Sequence, residues 1–121
     1  NIPVYLDGAH NVSGSKEIVN YFKNNIINRW LIIGMLNNKD LVKYLLIIKK
    51  IISGVIAVKI PGEKNVYTQK EIYNISKKLN IDAIIKNNLK NINQLLMTLP
   101  NKYILITGSL YLIGKIRKTY L

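Results

Sequence analysis

The only histidine of the chain, His10, stands in the run Asp7-Gly8-Ala9-His10-Asn11, beside one of just six acidic residues. An imidazole that titrates near neutrality can donate to a carboxylate or carry a proton. Asp7 can accept hydrogen bonds from sugar hydroxyls or hold a cation, and the Asn11 amide can both donate and accept. Gly8 and Ala9 let a ligand come close to the backbone. The same run would also serve an ordinary strand-to-helix turn, in which Asp7 and Asn11 cap backbone groups and His10 is simply exposed.

Two other stretches carry groups that could join it. In Gly34-Met35-Leu36-Asn37-Asn38-Lys39-Asp40, Lys39 could contact a phosphate or carboxylate, or could be a solvated lysine beside the helix-starting Asp40. Gly108-Ser109 stands before a helical pattern, where free N–H groups and a hydroxyl suit an oxyanion or carboxylate. An ordinary serine N-cap fits it as well. Gly108 to Lys115 is not a phosphate-binding P-loop: five residues separate its glycines instead of four, and Ile116 follows the lysine where Ser or Thr is needed.

The elements that must position these groups alternate between strand-like and helix-like runs. Pro3–Leu6, Trp30–Met35, Val55–Ile60, Ala83–Ile85 and Tyr103–Thr107 read as strands. Ser13 to about Ile26 reads as a helix with Ile18, Phe22 and Ile26 inward and Ser13 at its cap. Asp40–Lys50 reads as a helix with Leu41, Leu45 and Ile48 inward. Thr68 opens a third helix with Glu71 three residues on, a capping box, and Pro61-Gly62 stops the strand before it. Helices are expected over Asn88–Leu99 and Leu110–Tyr120. Strand–helix units joined by short connections predict an α/β fold, a Rossmann-like, mostly parallel sheet of five or six strands with helices on both faces. In such a sheet ligands bind beyond the carboxyl ends of the strands, and all three chemical stretches fall there.

Composition narrows the function further. The chain has 121 residues, 49% of them hydrophobic, enough for one globular core. No apolar run approaches the ~20 residues of a membrane span, so no membrane partner is expected. With no cysteine, disulfides and thiolate metal sites are excluded, which fits a reducing compartment and an expected cytoplasmic location. One histidine makes no histidine cluster, so any metal should be oxygen-liganded Mg²⁺, held mainly by nucleotide phosphates. The formal charge of +12 invites an anionic partner. However, 16 Lys, 16 Asn and 22 Ile point to AT-rich codon usage, and only two arginines offer the fork that nucleic-acid readers favour. Nucleic acid is therefore disfavoured, whereas steering of anionic small ligands remains in keeping with the charge.

Asp-Gly-Ala-His-Asn at 7–11, Gly-Met-Leu with Lys-Asp at 34–40, and Ile-Thr-Gly-Ser-Leu-Tyr-Leu at 106–112 occur in this order. Together they resemble the C-terminal domain of folylpolyglutamate synthase, also called dihydrofolate synthase, of the Mur ligase superfamily. Val12 stands where that family often has Pro, and Asn38 where its middle loop often has Asp. The resemblance implies a Rossmann-like domain and ATP-dependent joining of L-glutamate to a folate or dihydropteroate carboxylate through an acyl phosphate. It implies that Asp7 binds the ATP ribose side and that His10, as the catalytic group, and Ser109 hold and orient glutamate. Asn11 and Lys39 fall to the nucleotide side of the same cleft. It also implies that the P-loop and the Mg²⁺ ligands lie in a preceding N-terminal region. Residues 1–121 are thus expected to be a fragment lacking the P-loop ATPase domain, and inactive alone. Two rivals are a Mur-type cell-wall amino-acid ligase domain and a non-enzymatic, basic nucleic-acid-binding module. The latter predicts a lysine patch away from the strand ends.

Overall fold

The computed structural model describes residues 4–6, 12–22, 29–60, 62–87 and 103–107, with the backbone alone at 4–6, 12 and 103–107. In chain order the elements are β1 (Val4–Leu6), α1 (Val12–Phe22), β2 (Arg29–Ile33), α2 (Leu41–Ile48), a 3₁₀ turn (Lys49–Ile51), β3 (Gly54–Ala57), α3 (Gln69–Lys78), β4 (Asp82–Ile85) and β5 (Tyr103–Thr107). The strands form one sheet in the order β1-β5-β2-β3-β4, and every pairing is parallel.

This topology follows from the crossover rule. The connections β1-α1-β2, β2-α2-β3 and β3-α3-β4 all advance in the same direction across the sheet. Right-handed crossovers that advance the same way lay their helices on the same face. Packing agrees: Ile18 and Phe22 of α1, Leu41, Tyr44, Leu45 and Ile48 of α2 and Ile72 of α3 share one core with Leu31, Ile33, Val55 and Ala57. These strand residues alternate, so they belong to one side of the sheet. The alternate residues Ile32 and Ile56 are just as buried. A strand enclosed on both sides reads as a continuous apolar run, which is why β2 and β3 lack a polar–apolar alternation. The helices expected over Asn88–Leu99 and Leu110–Tyr120 lie outside the described residues, as does Ile26. The described helices therefore share a single face.

Helix starts follow local chemistry. The Asp40 carboxylate accepts the Lys43 N–H at 3.1 Å and caps α2. At α3 the Thr68 hydroxyl accepts from the Glu71 N–H at 3.1 Å while the Glu71 carboxylate accepts from the Thr68 N–H at 2.8 Å, completing the expected capping box. The end of α3 is a Schellman motif. The Ile81 N–H donates to Ser76 C=O at 2.9 Å and the Asn80 N–H to Lys77 C=O at 3.0 Å, with Asn80 in the left-handed region at φ 60°.

Several boundaries differ from the sequence reading. Helix α1 already includes Val12, so Ser13 lies inside its first turn and is not the cap. Strand β2 gains Arg29 and ends at Ile33, because the chain turns at Gly34 to meet a later segment. Strand β3 ends at Ala57; Val58 and Ile60 stay buried beyond it, and Gly62 turns at φ 81°. The last residues of the second helix tighten into the 3₁₀ turn Lys49–Ile51.

Candidate functional site

The strand order makes neighbours of the three strand ends that precede the chemical stretches. β5 lies between β1 and β2, with Leu6 level with Ile106, and Ile106 level with Ile32. The carboxyl ends of β1, β5 and β2 are thus successive neighbours, each about 4.8 Å from the next. From these three ends the chain continues into Asp7–Asn11, Gly108-Ser109 and Gly34–Asp40. Asp7, His10, Asn11, Gly108 and Ser109 themselves lie outside the described residues.

The third stretch is described in full. Gly34 allows a close crossing: a Cβ there would sit 3.0 Å from the Val58 carbonyl oxygen and 3.0 Å from Ile60 Cγ1. Met35 is fully buried just beyond. The loop is then laced to residues 65–67. The Asn37 N–H donates to Asn65 C=O at 2.9 Å and the Tyr67 N–H to Met35 C=O at 2.9 Å, flanking an antiparallel bridge between Leu36 and Val66. The Lys39 N–H turns back to Leu36 C=O at 3.1 Å, and the Lys39 carbonyl accepts both the Leu41 N–H at 3.1 Å and the Tyr67 hydroxyl at 2.6 Å. Lys39 is half-buried.

The model of the family "Dihydrofolate synthetase, C-terminal domain" matches residues 1–119 of the chain. The chain belongs to this family. As a dihydrofolate synthetase C-terminal domain it is similar in fold to several solved enzymes. With Escherichia coli FolC in complex with DHPP and ADP it shares 19% identity at a TM-score of 0.79, over 95% of this chain and 28% of that one. With Mycobacterium tuberculosis folylpolyglutamate synthase complexed with ADP it shares 17% identity at a TM-score of 0.83, over 95% and 29%. With Thermotoga maritima folylpolyglutamate synthase the values are 24% and 0.73, over 93% and 26%. The chain thus spans under a third of the length of each. No curated protein sequence matches it.

Elsewhere in this dihydrofolate synthetase domain, charged residues serve the fold. Asp40 and Glu71 are committed to helix caps. Arg29 is fully buried, its Nη1 donating to Ile51 C=O at 2.7 Å and its guanidinium lying 4.0 Å from the centre of the Phe22 ring. One of only two arginines is therefore withheld from any nucleic-acid phosphate. Exposed Lys49 and Lys50 stand in the 3₁₀ turn, and exposed Lys77 and Lys78 in the last turn of α3. Lys49 Nζ donates to Leu79 C=O at 2.6 Å, and cations here offset the negative end of α3. Among the described residues no three acidic or histidine side chains gather, so this part of the chain offers Mg²⁺ no cage of its own. Nor is any described helix long and apolar enough to cross a membrane. Sequence reasoning missed Tyr67, whose hydroxyl holds Lys39 from 28 positions away; periodicity marks faces of elements and carries no signal for such a loop-to-loop contact.

Proposed function

We propose that this chain is the C-terminal domain of an ATP-dependent ligase that joins L-glutamate to the carboxylate of a folate or dihydropteroate. The observation that carries the reading is the adjacency of β1, β5 and β2, the strands whose carboxyl ends precede Asp7–Asn11, Gly108-Ser109 and Gly34–Asp40 in the sequence of a chain of this family. ADP and DHPP in the similar E. coli structure support the same substrate classes.

In this mechanism a substrate carboxylate oxygen takes the terminal phosphoryl group of ATP and ADP leaves. The glutamate amine then attacks the acyl carbon, an amide bond forms, the amine loses its proton and phosphate departs. The domain closes over the nucleotide, Asp7 accepting from ribose hydroxyls, with Asn11 and Lys39 on the nucleotide side. His10 and Ser109 donate to glutamate carboxylate oxygens and aim the amine. Mg²⁺ would neutralise phosphate charge, with ligands supplied mainly from outside these residues. In the complete enzyme a P-loop domain completes the site, and the 121 residues alone neither ligate nor hydrolyse ATP. The work is cytoplasmic, and the positive charge draws in ATP, folate and glutamate, all anionic.

The test is substitution in the complete enzyme. His10→Ala and Ser109→Ala each raise the KM for glutamate roughly tenfold or more, the loss of one charge-assisted hydrogen bond, with the KM for ATP little changed. Unchanged glutamate kinetics in both variants would remove these assignments. Turnover of nucleotide-linked muramyl substrates in place of dihydropteroate would move the chain to the cell-wall branch.

A further inference from the structure

We propose that Tyr67 is a positioning residue for the nucleotide side of the site, acting through Lys39; the inference rests on the ligase reading above. The loop after β2 is tied to residues 65–67 in two different ways. Its base, Met35 to Asn37, is held by backbone hydrogen bonds and the Leu36–Val66 bridge. Those contacts are indifferent to side-chain identity. Its tip is held by a side chain, the Tyr67 hydroxyl donating to Lys39 C=O at 2.6 Å. That bond falls on the one residue of the loop tip that bears a cation.

Tyr67 is suited to the task. Its ring packs against the core shared by α1, α2 and α3, so the hydroxyl is carried on a fixed support. The next residue, Thr68, is the capped start of α3, which fixes the backbone of 67 from its other side. Lysine has a flexible four-carbon stem, and the freedom left to its ammonium depends on where its backbone is anchored. A tip anchored before ATP arrives does not have to be ordered by ATP, and the saving appears as affinity. A tyrosine that only filled space would do so through its ring, and the hydroxyl would be dispensable.

The decisive comparison is Tyr67→Phe, Lys39→Ala and the double variant in the complete ligase, with KM for ATP, KM for glutamate, kcat and Tm measured for each. Tyr67→Phe keeps the ring and the core contact, so folding is preserved. The expected result is a rise in KM for ATP of roughly three- to tenfold, the scale of one lost hydrogen bond. Glutamate KM, kcat and Tm should stay close to the parent. Lys39→Ala should raise the KM for ATP at least as much, and the double variant should be no worse than Lys39→Ala alone. If Lys39→Ala raises the KM for ATP while Tyr67→Phe does not, the positioning role is overturned and the nucleotide assignment of Lys39 stands. Fully additive effects overturn it too, since Tyr67 would then act by another route. Equal losses for ATP and glutamate with a lowered Tm would mark the hydroxyl as a purely structural group. A silent Lys39→Ala would instead remove Lys39 from the proposed site and take this inference with it.

Discussion

Gly54 and Trp30 face each other across β3 and β2 in register, and the indole lies directly over the glycine. A Cβ at position 54 would sit 2.4 Å from Trp30 Cζ3, 2.6 Å from Cη2 and 2.8 Å from Cε3. Carbon contacts settle near 3.5 Å, so in Gly54→Ala the ring must retreat by about 1 Å. Overfilling a packed site costs about 1–3 kcal/mol. Alanine also restricts the unfolded chain, which returns about 0.4–1 kcal/mol in a strand conformation that any residue can adopt. With three ring carbons displaced the cost lies in the upper half of that range, so the net loss is about 1–2.5 kcal/mol, a fall in Tm of roughly 4–12 °C for a domain of this size. Trp30 is the only tryptophan of the chain, so its emission reports on the ring itself. Thermal unfolding followed by circular dichroism, with emission spectra of the folded state, should show the lower Tm together with a red shift as the half-buried indole gains water. In a Trp30→Leu background the obstacle is gone, and Gly54→Ala should be neutral or stabilising by about 0.5 kcal/mol. An unchanged Tm and emission for Gly54→Ala, or the same loss in both backgrounds, would refute the reasoning.

At the end of α3, Asn80→Gly relieves a left-handed backbone and should stabilise the domain by about 0.5 kcal/mol, whereas Asn80→Ala should cost about 1 kcal/mol; urea midpoints of both variants check the sign and the order. Arg29→Ala removes the guanidinium from the Phe22 ring and from Ile51 C=O and should cost about 2–4 kcal/mol. Arg29→Lys should restore only a part of that, because an ammonium reproduces neither the planar stacking nor the fork; full recovery in the urea midpoint would show that charge alone matters.

Much of the framework was legible because its signals are local. Each described strand and helix appears where a run, a stripe or a cap placed it, and Thr68 with Glu71 marked the start of α3 through residues only three positions apart. Tyr44 belongs to an apolar run that reads as core, yet the inward set of the helix reads as Leu41, Leu45 and Ile48 without it, since a tyrosine ring serves a core or a surface equally well. Arg29 escaped notice because its burial depends on Phe22 and Ile51, partners outside any local window. That the three chemical stretches follow strands in the sequence could be read from the fold class. The adjacency of β1, β5 and β2 could not, since strand order is set by which apolar faces meet, and no periodicity encodes that β5 enters between β1 and β2. The lacing of Gly34–Asp40 to residues 65–67 was hidden for the same reason.

The insertion of β5 between β1 and β2 also has a bearing on synthesis. Val4 pairs with Ile104, 100 positions later, and among the described residues β1 has no other neighbour in the sheet. On the ribosome, β2, β3 and β4 can assemble with their helices as each emerges, while β1 must wait, unpartnered, until the last strand arrives. Only that arrival brings together the strand ends that lead to His10 and Ser109. A premature stop codon between the end of β4 and Tyr103 would therefore leave β2, β3 and β4 present but β1 without its pairing strand, and the edge proposed to bind ligand unassembled.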